Sequence, residues 1–159
     1  MTRSFRRIMT ANTDLTADDT DVIATIEQYR VFSEYQRSRH EGGDMSNMTF
    51  NEYRAMVEDT PVTSRIVEFR DDEGKLVAVM LMDRMEESLS AVYSFFDGSV
   101  TRRSLGTFMI LWMAQYARTL RLPYVYLGYW IDGSDKMAYK ARFQPLEVLG
   151  DSGWTVKSP

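Results

Sequence analysis

The strongest constraint on the fold is a long amphipathic helix that follows three strand-like runs. Residues 105–120 repeat apolar side chains at intervals of three and four, which places them on one face of an α-helix. Residues 65–70, 75–82 and 89–96 are rich in β-branched, aromatic and aliphatic side chains and are separated by polar turns, so they are predicted to form a three-stranded meander. The helix face predicted to enter the core comprises Leu105, Phe108, Met109, Trp112, Tyr116, Ala117 and Leu120.

Two further helices are predicted before the meander. Thr25 and Gln28 fit a capping box at the start of a helix that runs to about residue 40. Thr49 is a suitable N-cap for the next helix. Arg39 and His40 fall in the last turn of the first helix, where cations also suit the helix dipole, so capping is their plainer interpretation.

The chain after the long helix contains its most unusual stretch. Residues 124–131 are predicted to form a strand, and residues 136–143 a helix that is closed by Pro145. Gly128 lies inside the strand, where glycine usually marks a bulge or the close approach of a ligand. Residues 146–149 are a candidate last strand, with a hairpin onto residues 154–156.

The order of these elements is that of acetyltransferase-like (GNAT) folds, an α+β class with a central, mostly antiparallel sheet and flanking helices. In that fold, the third strand and the strand after the long helix diverge and open a cleft at the helix N-terminus. Here these strands are residues 89–96 and 124–131.

Composition excludes several classes of protein. The 159 residues suggest one domain, and a hydrophobic content of 44% argues against disorder. With no cysteine and one histidine, the chain offers no disulfide framework, no thiol nucleophile and no histidine-rich metal site. The net charge of −4 gives no general signal for nucleic acid, so any RNA contact would need a local basic patch.

The chain has no apolar run long enough to span a bilayer, and its N-terminal arginines precede no signal-peptide core. We therefore expect a cytoplasmic protein with no membrane partner and no DNA partner. We expect residues 1–21 to be a basic segment followed by an acidic linker, and residues 22–159 to form the folded domain.

The start of the long helix is a candidate anion site. Its backbone N–H groups lack helical partners and can bind a phosphate. Arg103 and Gly106 also match part of the acetyltransferase pyrophosphate loop, R-x-x-G-x-G/A, but Phe108 stands where that loop has a small residue. The candidate phosphate-binding residues are Arg102, Arg103, Ser104 and Gly106.

Four long segments resemble one known family. They are RSFRRIMTANTDL (residues 3–15), EQYRVFSEYQRSRHEGGDM (27–45), LSAVYSFFDGSV (89–100), and YVYLGYWI followed by KMAYKARFQPLE. In this order they are similar to bacterial aspartate/glutamate leucyltransferases, which are relatives of the arginyl-tRNA–protein transferases. The resemblance covers nearly the whole chain.

The resemblance implies transfer of leucine from leucyl-tRNA to the α-amine of proteins that begin with Asp or Glu, which marks them for degradation. Aminoacyl-tRNA is then a co-substrate, and no metal or other cofactor is implied. The implied catalytic residues are Tyr126, Tyr129 and Lys136 as donors or relays, and Asp97 as a holder of the incoming ammonium. The implied substrate-binding residues are Arg39, His40, Trp130, Tyr139, Lys140 and Arg142.

Within that set, Arg39, His40, Lys140 and Arg142 are candidates for the acidic side chain of the acceptor or for tRNA phosphates. Trp130 could stack on the terminal adenine of the tRNA, as could Tyr139, and burial in the core is an equally good interpretation of both. Leucine is inferred only from the bacterial version of the motifs.

The resemblance also implies a missing part. RSFRR and NTDL match the middle of full-length leucyltransferases, where an N-terminal domain with the family's cysteines comes first. We therefore expect a short catalytic half, either truncated or naturally short. Two alternatives remain: an acyl-CoA-dependent N-acyltransferase, and a non-catalytic domain that binds acidic N-termini or tRNA.

Overall fold

The structure is a computed structural model that describes residues 1–39, 43–131, 133–135 and 137–157. It divides into two units, Met1–Tyr126 and Leu127–Pro159, and each is described by itself. The helices are α1 (Arg3–Thr10), α2 (Ile26–Arg39), α3 (Phe50–Glu58) and α4 (Leu105–Thr119). The strands are β1 (Thr16–Thr20), β2 (Ser64–Arg70), β3 (Leu76–Arg84), β4 (Ser88–Phe96), β5 (Tyr124–Tyr126), β6 (Leu146–Gly150) and β7 (Gly153–Lys157).

The first unit is built on a five-stranded sheet in the order β1-β2-β3-β4-β5. The first four strands are antiparallel to their neighbours, and β5 lies parallel to β4. The first seven residues of β3 are buried, as expected for a strand that is covered on both faces of the sheet.

Each face of the sheet has its own hydrophobic core. The core under α4 contains Phe69, Met80, Phe108 and Met109, and α1 adds apolar side chains to its edge. The core under α2 and α3 contains Phe32, Tyr53, Ile66 and Phe95. This is the predicted α+β arrangement, with a mostly antiparallel sheet between helices. All seven residues of the predicted α4 face are buried or half-buried, and Leu111 and Met113, which were not predicted, are buried as well.

The predicted helix starts are confirmed by their caps. Thr49 accepts a hydrogen bond from the Glu52 backbone N–H, and the Glu52 carboxylate accepts one from the Thr49 backbone N–H. Thr25 and Gln28 make the same reciprocal pair before α2, at 3.0 and 3.2 Å. These caps depend on residues three apart in sequence, so local pattern is enough to predict them.

The prediction for residues 1–21 was wrong in its second part, because the expected acidic linker forms β1. All five residues of β1 pair with β2. Arg65 on β2 binds the carboxylates of Asp19, at 2.7 Å, and of Asp21, so a basic side chain on the neighbouring strand neutralises the acidic run. The N-terminal segment is therefore part of the first unit, and the expected boundary after residue 21 does not exist.

The two elements predicted for residues 124–143 are much shorter than expected. β5 ends at Tyr126, and Gly128 has a φ of +74°, a left-handed conformation that interrupts an extended chain. The expected helix over residues 136–143 is a 3₁₀ turn, Ala138–Arg142, whose N-cap makes no side-chain hydrogen bond. The predicted hairpin after it is confirmed as β6 and β7.

Candidate functional site

β5 pairs with only the first part of β4. Their parallel ladder has three residue pairs and ends with Ser90 opposite Tyr126. β4 then continues for six residues to Phe96, about 20 Å at the rise of a strand. A bulge leaves Val92 between the residues that face Leu81 and Met82, and such bulges bend the strand that carries them. β5 ends at Tyr126, so the last six residues of β4 have no partner in β5, and the divergence expected for residues 124–131 stays a prediction.

The far end of β4 carries an arginine over an aromatic ring. The guanidinium of Arg39, the last residue of α2, lies 5.3 Å from the centre of the Phe96 ring. The Tyr35 ring, one turn earlier on α2, contacts the same ring at a centroid distance of 4.9 Å. A Cβ on Gly106, in the first turn of α4, would lie 3.6 Å from that ring. The end of β4 thus joins the end of α2 to the start of α4.

Arg39 is exposed, and its guanidinium has no carboxylate partner among the residues that the structure describes. A cation over a ring retains its N–H donors at the edge of the guanidinium, where they can bind a carboxylate or a phosphate side by side. His40, the other candidate at this helix end, lies outside the described residues.

Asp97 follows β4 directly and already holds an ammonium group. Lys75 Nζ lies 2.7 Å from Asp97 Oδ2, while the Ser99 backbone N–H and hydroxyl donate to Oδ1 at 2.9 and 2.6 Å. Burial opposes ionisation of this carboxyl, but the hydrogen bonds from Lys75 and Ser99 outweigh it and lower the pKa of Asp97 below its usual range. Asp97 therefore fixes the turn after β4, and an incoming ammonium would have to compete with Lys75.

The predicted anion-binding residues divide into two groups. Arg103 donates from both terminal nitrogens to the carboxylate of Asp14, and the buried Asn12 amide donates to the Arg103 carbonyl oxygen at 2.9 Å. These contacts give Arg103 a structural role. Arg102 is exposed, and Ser104 takes a left-handed conformation with a φ of 52° and no side-chain cap to α4.

Phe108, which departs from the pyrophosphate-loop pattern, is a core residue. It is 4% exposed, and its ring packs edge-on against Phe69 at 5.5 Å. The position that would be small in the acetyltransferase loop therefore carries a side chain that the core requires.

In the second unit, Lys140 folds back on the segment that follows β5. Its Nζ donates to the backbone carbonyl of Tyr129, and it lies 4.0 Å from the position that a Cβ on Gly128 would occupy. Burial lowers the pKa of Lys140 from its usual value. The Tyr129 side chain is 89% exposed and contributes little to packing.

The remaining candidates of this unit have aromatic surroundings. Lys157 Nζ lies 4.2 Å from the centre of the Trp130 ring, so one face of this indole is covered by a cation. Tyr139 packs edge-on against Phe143 at 6.5 Å, and burial raises the pKa of its hydroxyl. Arg142 is exposed, whereas Lys136 lies outside the described residues.

The structure therefore groups the candidates within each unit. In the first unit, Arg39, Asp97 and Gly106 lie around the end of β4, while Tyr126 ends β5 opposite Ser90. In the second unit, Tyr129 and Lys140 are in contact. Across residues 1–39, 43–131, 133–135 and 137–157, no cluster of acidic or histidine side chains could hold a metal, and no helix is long and apolar enough to cross a membrane.

Three residues that bind candidate site residues were not predicted from the sequence: Lys75, Asn12 and Asp14. The first pairs with Asp97, and the other two hold Arg103. The one available signal was the family-like segment of residues 3–15, which contains both Asn12 and Asp14. Nothing in the local pattern around Lys75 indicates its contact with a residue 22 positions later.

Solved structures with the same architecture identify the fold as that of the GNAT acyltransferases. The L-PGS protein of Bacillus licheniformis aligns with a TM-score of 0.60 at 16% identity, over 84% of this chain and 42% of that one. The PaiA N-acetyltransferase of Thermoplasma acidophilum, solved in complex with coenzyme A, aligns with a TM-score of 0.58 at 6% identity, over 87% and 95%. Identities this low establish the fold alone.

The family follows from the sequence relatives. The model of the C terminus of arginine-tRNA-protein transferases matches residues 27–150, and the chain belongs to this family. It is 55% identical over 157 residues, 99% of its length, to the aspartate/glutamate leucyltransferase of Paramagnetospirillum magneticum. It is 53% identical over 153 residues, 96% of its length, to that of Rhodospirillum rubrum. It spans 64% and 62% of these two relatives, somewhat under two thirds.

Proposed function

We propose that this chain carries the transferase chemistry of an aspartate/glutamate leucyltransferase. It takes leucine from leucyl-tRNA and joins it to the α-amine of a protein that begins with Asp or Glu, which marks that protein for degradation in the cytoplasm. Support comes from relatives of that name at about half identity over nearly the whole chain. Aminoacyl-tRNA and acidic N-termini are the partners that this proposal requires.

The reaction is the attack of an amine on an ester. The α-amine nitrogen bonds to the leucyl carbonyl carbon, a tetrahedral oxyanion forms, and the ribose oxygen of the tRNA leaves with a proton. The amine must also lose a proton, and no acyl-enzyme is needed. The chain has to hold the two reactants together, stabilise the oxyanion and relay a proton.

The observation that carries the proposal is the position of Arg39. A guanidinium with no carboxylate partner in the described part of the chain lies over Phe96, the last residue of the part of β4 that does not pair with β5. An acceptor that begins with Asp or Glu brings the carboxylate that this cation lacks. Arg39 would therefore bind the acidic side chain of the acceptor, because a planar guanidinium can bind a carboxylate with two hydrogen bonds.

The other roles remain proposals from the family pattern. Tyr126, the last residue of β5, is assigned as a donor, and Tyr129 and Lys136 as donors or relays. Lys140 is a weaker candidate for a phosphate contact, because its ammonium already donates to the Tyr129 carbonyl. Further proposed contacts to the acceptor or the tRNA are His40, Arg142, Trp130, Tyr139, Arg102, Ser104 and Gly106.

Two observations argue against the acyl-CoA alternative. A pyrophosphate loop needs a small residue at position 108, where the chain has a core phenylalanine. The arginine of that loop falls at position 103, where the guanidinium is paired with Asp14. An acyl-CoA would therefore meet a filled position and a neutralised charge at the start of α4.

A transfer assay tests the proposal. Radiolabelled leucyl-tRNA is incubated with the chain and with peptides that differ only in a first residue of Asp, Glu or Ala. We expect label on the two acidic peptides and none on the alanine peptide. Binding of the acidic peptides without transfer would favour the non-catalytic alternative. Label on all three peptides would overturn the proposed selectivity, and acetyl-CoA in place of leucyl-tRNA serves as the control donor.

A further inference from the structure

Helix α1 presents a row of arginines to solvent. Arg3, Arg6 and Arg7 are spaced by three and four residues, so their side chains leave the helix on the same side. All three are exposed. We refer to these residues as the α1 arginine face. The whole chain carries a net charge of −4, so this concentration of positive charge does not follow from its general composition.

The α1 arginine face works against the stability of its own helix. Like charges three and four residues apart repel one another by a few tenths of a kcal/mol per pair. Arg3 and Arg6 also lie towards the helix N-terminus, where the helix dipole favours acidic side chains, and the first turn of α1 has none. Local choices that conflict with the fold often mark a functional surface.

No carboxylate of the described residues pairs with Arg3, Arg6 or Arg7. Three other arginines of this unit, Arg65, Arg70 and Arg103, bind carboxylates. The fold neutralises these three. The three on α1 remain available to an external anion.

The apolar side of α1 is already used by the fold. Phe5 is 6% exposed, and Ile8 and Met9 pack against the core under α4. A helix that lies on a membrane needs an apolar face to enter the lipid, and α1 has none to spare. The polar side can still bind phosphates that approach from solvent, which favours a nucleic acid over a lipid surface.

α1 is also held at the start of α4. The Asn12 amide donates to the carbonyls of Ile8, at 2.8 Å, and of Arg103, at 2.9 Å, and Asp14 accepts the fork of Arg103. The segment after α1 is thus attached to the loop that precedes α4. A partner that binds α1 is fixed relative to this part of the first unit.

We infer that the α1 arginine face binds the phosphate backbone of the tRNA. This inference rests on the proposed function for the identity of the nucleic acid. The contacts are to phosphates and carry no base specificity, so they would hold any tRNA and leave the choice of aminoacyl group to other residues. Arg103, by contrast, positions α1 and does not contact the tRNA.

The test measures tRNA binding at a series of salt concentrations. The variant is the triple change Arg3→Gln, Arg6→Gln and Arg7→Gln in the full chain, and uncharged tRNA is the probe. Each lost phosphate contact lowers the slope of log K against log salt by about 0.7–0.9, so we expect a fall of about 2–3. Binding at low salt should weaken at least tenfold.

A matched control removes the same charge elsewhere. Arg54, Arg84 and Arg118 are exposed arginines on α3, β3 and α4, and their triple change to Gln should leave the slope within about one unit of the wild type. Equal losses in the two triple variants would mean that only net charge matters, and would overturn the inference. Circular dichroism of both variants checks that the fold is retained.

Two further measurements distinguish this inference from binding to a lipid surface and from the proposed function. Loss of binding to anionic phospholipid vesicles, with tRNA binding unchanged, would overturn it in favour of a lipid surface. In the transfer assay, an unchanged KM for leucyl-tRNA in the α1 variant would overturn it while the proposed function stands. A chain that binds tRNA through these arginines but transfers no leucine would retain the inference and overturn the proposed function.

Discussion

The guanidinium of Arg103 and the carboxylate of Asp14 form a two-bond fork, with Nη1–Oδ1 at 2.9 Å and Nη2–Oδ2 at 2.7 Å. The two residues are 89 positions apart, and together with Asn12 they hold the end of α1 against the loop before α4. An arginine beside a helix N-terminus looks like an anion site in sequence. Here the anion is supplied by the chain itself.

Asp14→Asn should remove the charge from this fork and destabilise the first unit. Both side chains are about 30% exposed, so the pair is partly screened by solvent, and we expect a loss of about 1 kcal/mol in the free energy of unfolding. Urea denaturation at pH 7 measures this change. Asp18→Asn removes the same charge from an exposed position on β1 and should change the stability by less than about 0.5 kcal/mol.

The contribution of Asp14 should depend on pH. The hydrogen bonds from Arg103 hold the pKa of Asp14 below its ordinary value of 3.8. A lowered pKa in the folded state gives stability that is present above pH 3.8 and is lost as the pH falls through the folded-state value. The difference between wild type and Asp14→Asn should therefore disappear in strong acid. A difference that stays constant below pH 3 would mean that packing, and not charge, explains the loss.

The fold could be predicted wherever its signals are local. The capping box of Thr49 and Glu52 and the apolar stripe of α4 depend on neighbours within one or two helical turns, and both are present. Strand β1 could not be predicted in this way. Its sequence, TADDT, has no apolar periodicity, and it is a strand because β2 pairs with it and Arg65 neutralises its carboxylates.

The candidate site was predicted less completely than the fold. Residue types indicated Arg39, Asp97 and Arg103 as charged groups near a cleft, but their partners determine their roles. Lys75 and Asp14 are distant in sequence from the residues that they neutralise. Because the partners are brought together only by the folded sheet, a linear pattern could not distinguish the unpaired Arg39 from the paired Arg103.

Arg39→Ala should weaken binding of acidic acceptors. Losing a charge-assisted hydrogen bond to the acceptor carboxylate costs about 1.5–3 kcal/mol, so KM for an Asp peptide should rise by about tenfold to a hundredfold. The fold should lose less than about 1 kcal/mol, since the exposed contact with Phe96 is weak. Steady-state transfer with varied peptide concentration measures both KM and kcat.

Two controls define what Arg39 does. Arg37→Ala removes an exposed arginine from the same helix, whose Nε donates to the Ser33 carbonyl, and should leave KM unchanged. Arg39→Lys should recover part of the loss, because it restores the charge without the planar fork. Equal effects of Arg37→Ala and Arg39→Ala on KM would remove Arg39 from the acceptor site.

Gly106→Ala tests whether a ligand approaches the start of α4. Gly106 does not require a left-handed conformation, and a Cβ there would make an ordinary contact of 3.6 Å with Phe96. The change should therefore leave stability equal or slightly higher, as alanine favours helices. If phosphates bind the backbone here, the added methyl group should raise KM for leucyl-tRNA severalfold.

The matched control for this change is Gly150→Ala, at an open position with nothing within 4 Å of the added atom. It should alter neither stability nor transfer. An unchanged KM in Gly106→Ala, with both proteins folded, would mean that no ligand approaches this backbone closely.

Tyr129→Phe and Lys136→Ala test the proposed donors of the second unit. The Tyr129 side chain is 89% exposed, so loss of its hydroxyl should leave the melting temperature unchanged. If the hydroxyl donates to the oxyanion or relays a proton, the transfer rate should fall about a hundredfold or more at saturating leucyl-tRNA. Such a fall without a change in KM would separate transition-state stabilisation from substrate binding. Wild-type rates in both variants would exclude both residues from the catalytic site, and Tyr126 would then be the remaining tyrosine to test.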